Sequence, residues 1–302
     1  MIAAVPLGLV INERYQLEAP LGGGGFGRLF RARDLQRDGQ VVALKFADVG
    51  GDRALCREAQ WLHLLRHPGV VHIYPCQAAP PYVYSRASVL GEQPFFFVME
   101  YLGGGTVESR TEQIGRCSGA WRWELCYRLL LSVYFLHLHR CAHRDLKPQN
   151  VVFRAPPQPG VAPQPVCVDF GVMMRVGEAV PPPEVRNARS IYCAPPERLL
   201  RGWGMNERLP SDDPLKEDIW SLGVVLYYIL TAGRYPFAGE AVDSYTAAVM
   251  QGEPATLGEE WAAYARLEEL LRRMLSPAPA ARPSIRAVLK AWELIVPPPR
   301  LI

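Results

Sequence analysis

The sequence has little that would place the chain in a membrane, in an oxidising compartment or on nucleic acid. Its seven cysteines include no Cys-x-x-Cys pair, which argues against a disulfide framework or a zinc site. No run of Lys or Arg forms a basic stripe, and the net charge is only +3, so we expect no nucleic-acid partner. The apolar residues 219–230 fall well short of the roughly 20 that a bilayer span requires. Residues 1–11 have no basic flank and predict no signal peptide. We therefore expect a cytoplasmic protein without a membrane span.

The composition is that of a folded protein with a sizeable core. Hydrophobic residues make up 49% of the 302 positions, enough for one large domain or two lobes. Residues 15–21, 28–33 and 41–47 are short β-rich segments bounded by glycine or Asp-Gly, a pattern typical of an antiparallel meander.

A glycine-rich stretch, residues 22–27, joins the first two of these segments. Without Cβ atoms its backbone N–H groups can approach phosphate oxygens closely. Gly22, Gly24 and Gly27 also satisfy the spacing of a dinucleotide-binding loop, but that motif needs a helix next. Residues 28–33 alternate like a strand instead, and the Lys-Ser/Thr ending of a Walker loop is absent. A phosphate-binding hairpin and a simple flexible turn both remain open.

One lysine, Lys45, lies on an otherwise apolar strand. An unpaired ammonium would be costly to bury, so the sequence predicts a partner. Glu58 is the candidate, because we expect it to open a helical segment in which Leu62 and Leu65 share its face.

The octet at residues 143–150 reads His-Arg-Asp-Leu-Lys-Pro-Gln-Asn. Asp145 can accept a proton from a hydroxyl, Lys147 can hold a phosphoryl group, and Asn150 can offer an oxygen to Mg²⁺. Each residue alone is more often a solvated loop residue. Asp169 follows the buried strand at residues 166–168 in an Asp-Phe-Gly turn, where a carboxylate is well placed for a metal bridging nucleotide phosphates.

Together these motifs resemble the catalytic domain of eukaryotic-like Ser/Thr protein kinases over about residues 12–295. The resemblance implies an α+β, bilobal protein-kinase-like fold with a small β-rich N-lobe and a larger helical C-lobe. The expected boundaries are an N-terminal extension at 1–11, the N-lobe at 12–101, the C-lobe at 102–296 and a tail at 297–302. ATP would sit between the lobes.

The resemblance also implies roles for individual residues. Asp145 would be the catalytic base, Lys147 and Lys45 would offset phosphate charge, and Glu58 would position Lys45. Mg²⁺ would be held by Asn150 and Asp169. The residues expected to contact ATP are Leu21, Gly22, Gly24, Gly27, Leu29, Ala43, Lys45, Met99, Glu100, Leu102 and Val152. A strand ending in a glycine linker would explain residues 99–105 equally well.

The second half of the chain carries further parts of the resemblance. Pro195-Pro196-Glu197 stands where the family has Ala-Pro-Glu, and Arg282 is expected to pair with Glu197. Asp218 is expected to brace the backbone of the octet. Ser190, together with Lys147, favours Ser/Thr over Tyr in the protein substrate. We expect His137 and His139 to be packing or surface residues.

Residues 172–189 contain no Ser, Thr or Tyr. Many relatives phosphorylate this segment so that the new charge pairs with the arginine of His-Arg-Asp, here Arg144. We hypothesise that Glu178 or Glu184 pairs with Arg144 instead, leaving the enzyme active without phosphorylation of the segment. The alternatives are a pseudokinase that binds ATP as an interaction scaffold and a kinase for small molecules. Pseudokinases usually lack one of the residues that correspond to Lys45, Asp145 and Asp169, and all three are present here. The expected pairing of Glu197 with Arg282 disfavours a kinase for small molecules.

Overall fold

The chain divides into two compact units, which we call the N-terminal unit, Met1–Leu102, and the C-terminal unit, Gly103–Ile302. The computed structural model describes residues 7–24, 27–88, 90, 93–178, 188–201, 213–239 and 241–295. The predicted tail at 297–302 and most of the predicted extension at 1–11 lie outside these ranges.

The N-terminal unit is an antiparallel sheet with one helix among its described residues. The elements are β1 Val10–Ile11, β2 Tyr15–Gly24, β3 Gly27–Asp34, β4 Gln40–Phe46, α1 Asp52–Leu64, β5 Ile73–Tyr74, β6 Ser85–Arg86 and β7 Phe95–Glu100. The strands pair in the order β1-β2-β3-β4-β7-β5, and β6 also pairs with β7. The predicted meander is confirmed, because β2, β3 and β4 are consecutive antiparallel neighbours.

Aromatic side chains fill one face of this sheet. Phe46 on β4 lies against Phe30 on β3 and Phe96 on β7, with ring centroids 5.8 and 5.5 Å apart. Tyr15 on β2 meets Phe96 edge to face at 6.0 Å. Such edge-to-face and tilted contacts add to the stabilisation that burial alone provides. The packing therefore fixes β4, the strand that carries Lys45.

The C-terminal unit is mainly helical, with two short antiparallel strand pairs. Its helices are α2 Thr111–Arg116, α3 Gly119–Leu138, α4 Pro196–Arg201, α5 Pro214–Leu230, α6 Val242–Gln251, α7 Ala265–Met274 and α8 Ile285–Glu293. Its strands are β8 Cys141–Ala142, β9 Val151–Phe153, β10 Pro165–Cys167 and β11 Met174–Arg175, paired β9 with β10 and β8 with β11.

Helix α5 is the buried axis of this unit. It begins five residues before the predicted apolar stretch, because Asp213 caps it by accepting from the Leu215 N–H at 3.0 Å and Pro214 occupies its first turn. Trp220 stacks on Phe237 at 5.5 Å. Burial on all sides explains why the sequence of α5 shows no polar face. Of the helices in the described ranges, none combines the length and hydrophobicity that crossing a bilayer demands.

Candidate active site

Lys45 and Glu58 form a buried ion pair in the N-terminal unit. The Lys45 Nζ lies 2.9 and 2.8 Å from the two carboxylate oxygens of Glu58, and the side chains are 10% and 3% exposed. Charge-assisted contacts of this length are the stronger kind of hydrogen bond. The prediction that Lys45 has a partner, and that Glu58 is it, is confirmed.

The helix that carries Glu58 begins earlier than the sequence predicted. Glu58 does not open α1 but lies in its middle, on a buried face with Leu55, Ala59 and Leu62. A tight turn closed by the Gly51 N–H and the Asp48 carbonyl, 2.8 Å apart, leads into the helix at Asp52. We missed this start because the turn residues Gly50 and Gly51 separate the helix from the strand without a Ser or Thr cap.

The glycine-rich stretch forms a hairpin between β2 and β3. Gly22 pairs with Leu29 and Gly24 with Gly27; the tip, residues 25–26, lies outside the described ranges. Since a strand follows the glycines, the dinucleotide-binding alternative is excluded. At Gly27 (φ 135°) an added Cβ would stand 2.2 Å from the Phe46 carbonyl oxygen, so only glycine fits there.

Four of the residues expected to contact ATP, Leu21, Leu29, Ala43 and Met99, lie on neighbouring strands of the same sheet. Ala43 lies opposite Met99 in the pairing of β4 with β7, and both are buried. Leu21 and Leu29 belong to the hairpin strands, and Leu102 is half-buried at the end of the unit. The Glu100 N–H donates to the His72 carbonyl at 2.9 Å, while the Glu100 carboxylate accepts from the His72 N–H at 2.9 Å. These two hydrogen bonds between His72 and Glu100 could not be predicted from the sequence, because the residues lie 28 positions apart.

In the C-terminal unit the three predicted residues of the loop 143–150, which we call the catalytic loop, come together. The Asp145 Oδ2 accepts from Lys147 Nζ at 2.6 Å and from Asn150 Nδ2 at 2.9 Å. The same Asn150 nitrogen donates to the Asp145 carbonyl at 2.9 Å. Pro148 begins a 3-10 turn, Pro148–Asn150, that brings Asn150 back towards Asp145. One carboxylate is thus held by an ammonium and an amide.

Asp218, at the start of α5, braces the backbone of this loop as predicted. It is completely buried and accepts from the His143 N–H at 2.8 Å and the Arg144 N–H at 2.7 Å. The Arg144 backbone has a φ of 66°, an unfavourable conformation that these two bonds help to maintain. The His137 Nε2 is a third partner at 3.0 Å. His137 is buried, as expected of a packing residue, but its contact with Asp218 was not foreseen.

Asp169 and Asn150 are brought close by the pairing of β9 with β10. Cys167 lies opposite Val151, and the Val168 N–H donates to the Asn150 carbonyl at 3.0 Å. Asp169 then turns away from the strand with a φ of 63°. Val152, the remaining residue expected to contact ATP, is half-buried on β9.

His143 links the catalytic loop to the Asp-Phe-Gly turn. Its Nδ1 accepts from the Asp145 N–H at 3.3 Å, and its Nε2 lies 3.1 Å from the Val168 carbonyl. Because the backbone N–H of Asp145 can only donate, Nδ1 is the accepting nitrogen, and the ring proton is on Nε2, which donates to the Val168 carbonyl. The Phe170 ring packs 4.5 Å from the imidazole. His143 therefore holds the two turns that carry Asp145 and Asp169 in a fixed position relative to each other.

The side-chain oxygens of Asn150 and Asp169 are of the kind that bind a magnesium ion. The Asn150 nitrogen is used in bonds to Asp145, which leaves its amide oxygen as the ligand atom, and Asp169 supplies a carboxylate. Mg²⁺ is commonly bound by one or two such oxygens together with substrate phosphates and water. Within the described ranges, no three His, Cys, Asp or Glu side chains gather as a metal centre.

Glu197 and Arg282 form the predicted pair in the C-terminal unit. Arg282 Nη1 and Nη2 donate to the two carboxylate oxygens at 2.7 and 2.8 Å, and both side chains are fully buried. Next to Glu197, the 3-10 turn Ala188–Cys193 includes Ser190. That turn is held by Ser221 and Tyr245, whose hydroxyls donate to the carbonyls of Cys193 and Tyr192 at 2.8 and 2.6 Å.

In the structure Arg144 has a partner that the hypothesis from the sequence did not include. The Arg144 Nε lies 3.4 Å from Oε2 of Glu217 on α5. Glu178 instead accepts from the Arg175 N–H at 3.0 Å, and Glu184 lies outside the described residues. Glu217 was missed because it is 73 residues from Arg144 and stands in a segment interpreted only as a helix.

The sequence of residues 15–292 matches the model of the protein kinase domain. The chain belongs to the protein kinase family. The expected fold class is therefore confirmed: a β-rich N-terminal unit and a helical C-terminal unit form the bilobal kinase fold.

Several curated protein kinases are similar to this kinase chain. CBL-interacting protein kinase 15 of Oryza sativa subsp. japonica is 28% identical over 290 residues, which cover 93% of the chain and 59% of the relative. Serine/threonine-protein kinase SRK2J of Arabidopsis thaliana is 30% identical over 289 residues, covering 93% and 77%. Serine/threonine-protein kinase PrkC of Bacillus subtilis (strain 168) is 28% identical over 255 residues, covering 82% and 35%. The chain spans about three fifths of the length of the rice kinase.

Proposed function

We propose that this kinase domain transfers the γ-phosphoryl group of ATP to Ser or Thr hydroxyls of protein substrates. The observation that carries the proposal is the cluster of Asp145, Lys147 and Asn150 about one carboxylate oxygen. The relatives named serine/threonine-protein kinases support the choice of acceptor.

In the proposed reaction Asp145 orients the substrate hydroxyl and accepts its proton. The hydroxyl oxygen forms a bond to the γ-phosphorus while the bond to the β-γ bridging oxygen breaks, and ADP leaves with that electron pair. Lys147, 2.6 Å from Asp145, offsets charge that develops on the transferring group. Lys45, kept in place by Glu58, contacts the other phosphates of ATP. Mg²⁺, when bound by Asn150 and Asp169, neutralises part of the phosphate charge.

We further propose that ATP is recognised by the N-terminal hairpin and by the strands β4 and β7. The hairpin glycines Gly22, Gly24 and Gly27 offer backbone N–H groups to phosphate, as glycine-rich turns do elsewhere. Since the Glu100 N–H already donates to His72, the Glu100 carbonyl is the group proposed to accept from adenine. Leu102 supplies the neighbouring backbone contact.

The test is transfer of label from [γ-³²P]ATP to a generic basic protein, followed by identification of the labelled amino acid. Asp145→Asn should lower the rate on the order of 10²- to 10⁴-fold, because the carboxylate that accepts the proton is lost. Nucleotide binding should survive. Asp243→Asn is the matched control, since it makes the same change at an exposed position of α6.

The alternatives give different results in the same assay. A pseudokinase scaffold would bind ATP without transfer even in the unaltered protein. A small-molecule kinase would consume ATP only when a metabolite acceptor is supplied and would leave proteins unlabelled. Label on tyrosine alone would contradict the proposed acceptor.

We also propose that the kinase is active without phosphorylation of residues 172–189. These residues contain no Ser, Thr or Tyr, so a phosphate ester on a hydroxyl there is chemically impossible. Protein treated with phosphatase, and shown by intact mass to carry no phosphate, should retain its activity. A loss of activity would point to a required phosphate elsewhere.

A further inference from the structure

The side chain of Arg144 lies in a nearly closed environment next to the catalytic aspartate. It is 10% exposed, and its Nε lies 3.4 Å from the Glu217 Oε2, which belongs to a side chain that is 4% exposed. A guanidinium cannot lose its charge in a protein, so burial at this position requires an anion. Glu217 supplies that anion from helix α5.

A second arginine completes the arrangement. Arg198 Nε lies 3.9 Å from the same Glu217 oxygen, and Arg198 Nη1 donates to the Arg144 carbonyl. Burial raises the pKa of the Glu217 carboxyl, and the negative charge of Glu197 raises it further. The positive charges of Arg198 and Arg144 act to lower this pKa. The negative charge on Glu217 thus depends on the two guanidinium groups that it joins.

Glu217 and Asp218 are consecutive residues, and both hold Arg144. Asp218 accepts from its backbone N–H at 2.7 Å, and Glu217 pairs with its side chain. Asp145 is the next residue along the chain. Two side chains of α5 therefore hold the backbone directly before Asp145. Functional groups supported in this way keep the geometry that a reaction needs.

The segment that follows Asp169 offers no substitute for this anion by phosphorylation. Residues 172–189 lack every hydroxyl side chain. In kinases that are switched on by phosphorylation, the added charge orders this segment through arginine pairs. Here a carboxylate already balances Arg144 in the described structure.

We propose that Glu217 is a positioning residue for the transfer reaction: its carboxylate balances Arg144 from helix α5 and holds the catalytic loop in its working geometry, in place of a phosphate. The inference rests on the proposed kinase activity and names the residue that makes that activity independent of phosphorylation. It assigns Glu217 no contact with ATP or with the protein substrate.

The test compares phosphatase-treated proteins that carry Glu217→Gln, Glu217→Asp or the control Glu112→Gln. Glu112 also pairs with an arginine, Arg116, but both side chains are more than 70% exposed. Glu217→Gln should lower kcat on the order of 10- to 100-fold, because small displacements of a catalytic group are costly. The KM for ATP should stay within about twofold. Glu217→Asp, which keeps the charge, should fall between the two.

A double variant, Arg144→Gln with Glu217→Gln, separates charge balance from simple damage. If Glu217 acts by balancing Arg144, removing both charges should restore part of the kcat lost in Glu217→Gln. Equal kcat in the single and the double variant would overturn the inference, as would a Glu217→Gln kcat equal to that of Glu112→Gln. If Glu217→Gln does not fold, an unchanged kcat in Glu217→Asp would overturn it.

A readout that needs no activity distinguishes failure of this inference from failure of the proposed function. Hydrogen–deuterium exchange of the peptide that contains residues 143–150 should be faster in Glu217→Gln than in Glu112→Gln. Unchanged exchange would overturn the inference even if the unaltered protein transfers phosphate. Faster exchange in a protein that never transfers phosphate would support the role in loop order and refute the kinase proposal alone.

Discussion

Each of the two units contains a buried pair between a basic side chain and a glutamate on a different element, and these two pairs are built differently. In the N-terminal unit a lysine on a strand meets a glutamate on a helix, Lys45 with Glu58. In the C-terminal unit an arginine meets a glutamate, Arg282 with Glu197. An ammonium is a compact charge, whereas a guanidinium is a rigid fork with five N–H donors.

All five donors of Arg282 are used within the protein. Besides the two contacts to Glu197, Nε donates to the Ser276 carbonyl at 2.9 Å, Nη1 to Lys216 at 3.0 Å and Nη2 to Pro277 at 3.2 Å. The guanidinium also lies 5.1 Å from the centre of the Trp220 ring. Such a saturated group has nothing left for a ligand. The comparison indicates that the arginine pair fixes structure, whereas we propose that the lysine pair prepares a charge for phosphate.

The largest effect expected from this comparison is on the rate of Lys45→Met. Methionine keeps the apolar stem on β4 but removes the charge, so transfer should fall on the order of 10²- to 10³-fold. Glu58 also loses its contact with Lys45, so we expect lower stability as well, but a protein that still folds. Steady-state kinetics and thermal unfolding measure the two quantities. Lys290→Met, at an exposed position of α8, is the control. A Lys45→Met variant with unchanged activity would contradict the proposal that Lys45 offsets phosphate charge.

Arg282→Met should show the opposite pattern. It leaves Glu197 buried without its partner, and we expect the free energy of unfolding to fall by roughly 3 to 5 kcal/mol. Adding Glu197→Gln should restore only part of this, because the carbonyls of Ser276, Lys216 and Pro277 still lack a donor. Arg128→Met breaks the half-exposed pair with Glu124 and should cost about 1 kcal/mol or less. Full recovery in the double variant would contradict the structural interpretation of Arg282.

Asp218→Asn should affect both quantities moderately. An amide has one accepting oxygen where the carboxylate has two, so one of the loop N–H groups loses its acceptor and the other keeps only an uncharged one. We expect a loss of about 1.5 to 3 kcal/mol in unfolding free energy and a lower kcat. Denaturant titration and kinetics of the same preparation provide the measurement. Asp213→Asn on the same helix is the control, because Asn caps a helix nearly as well as Asp.

The smallest effect expected is a pH dependence at Glu217. Burial raises the pKa of its carboxyl in the folded chain, against the influence of Arg144 and Arg198 and together with that of Glu197. An acid whose folded-state pKa is raised adds most to stability at low pH and loses this as the pH rises through that pKa. The melting temperature of the unaltered protein, relative to Glu217→Gln, should therefore increase as the pH is lowered from 8 towards 5. A difference that runs the other way would mean that the arginines outweigh burial.

The sequence predicted those features in which a polar residue interrupts an apolar segment. Lys45 on β4 required a partner, whereas the bracing role of Asp218 was expected from the resemblance to protein kinases. The short motif at residues 143–150 held its residues close enough in the chain for their contacts to be expected.

Contacts between residues far apart in sequence were not predictable in this way. Nothing near Arg144 indicates Glu217, and nothing near His137 indicates Asp218, because both partners are supplied by the folding of α5 against the catalytic loop. The start of α1 at Asp52 and the cap of α3 by Ser118, which accepts from the Trp121 N–H at 3.2 Å, depend on local turns. The boundaries of a helix are harder to predict from the sequence than its existence.

The adjacency of Glu217 and Asp218 has a geometric consequence for Asp145, the proposed catalytic base. Successive residues of an α-helix project about 100° apart, so the two carboxylates approach Arg144 from different directions. A single attachment would leave the residue before Asp145 able to swivel about that bond. With two, its orientation is held together with its location, and the direction of the neighbouring carboxylate depends on the buried helix α5.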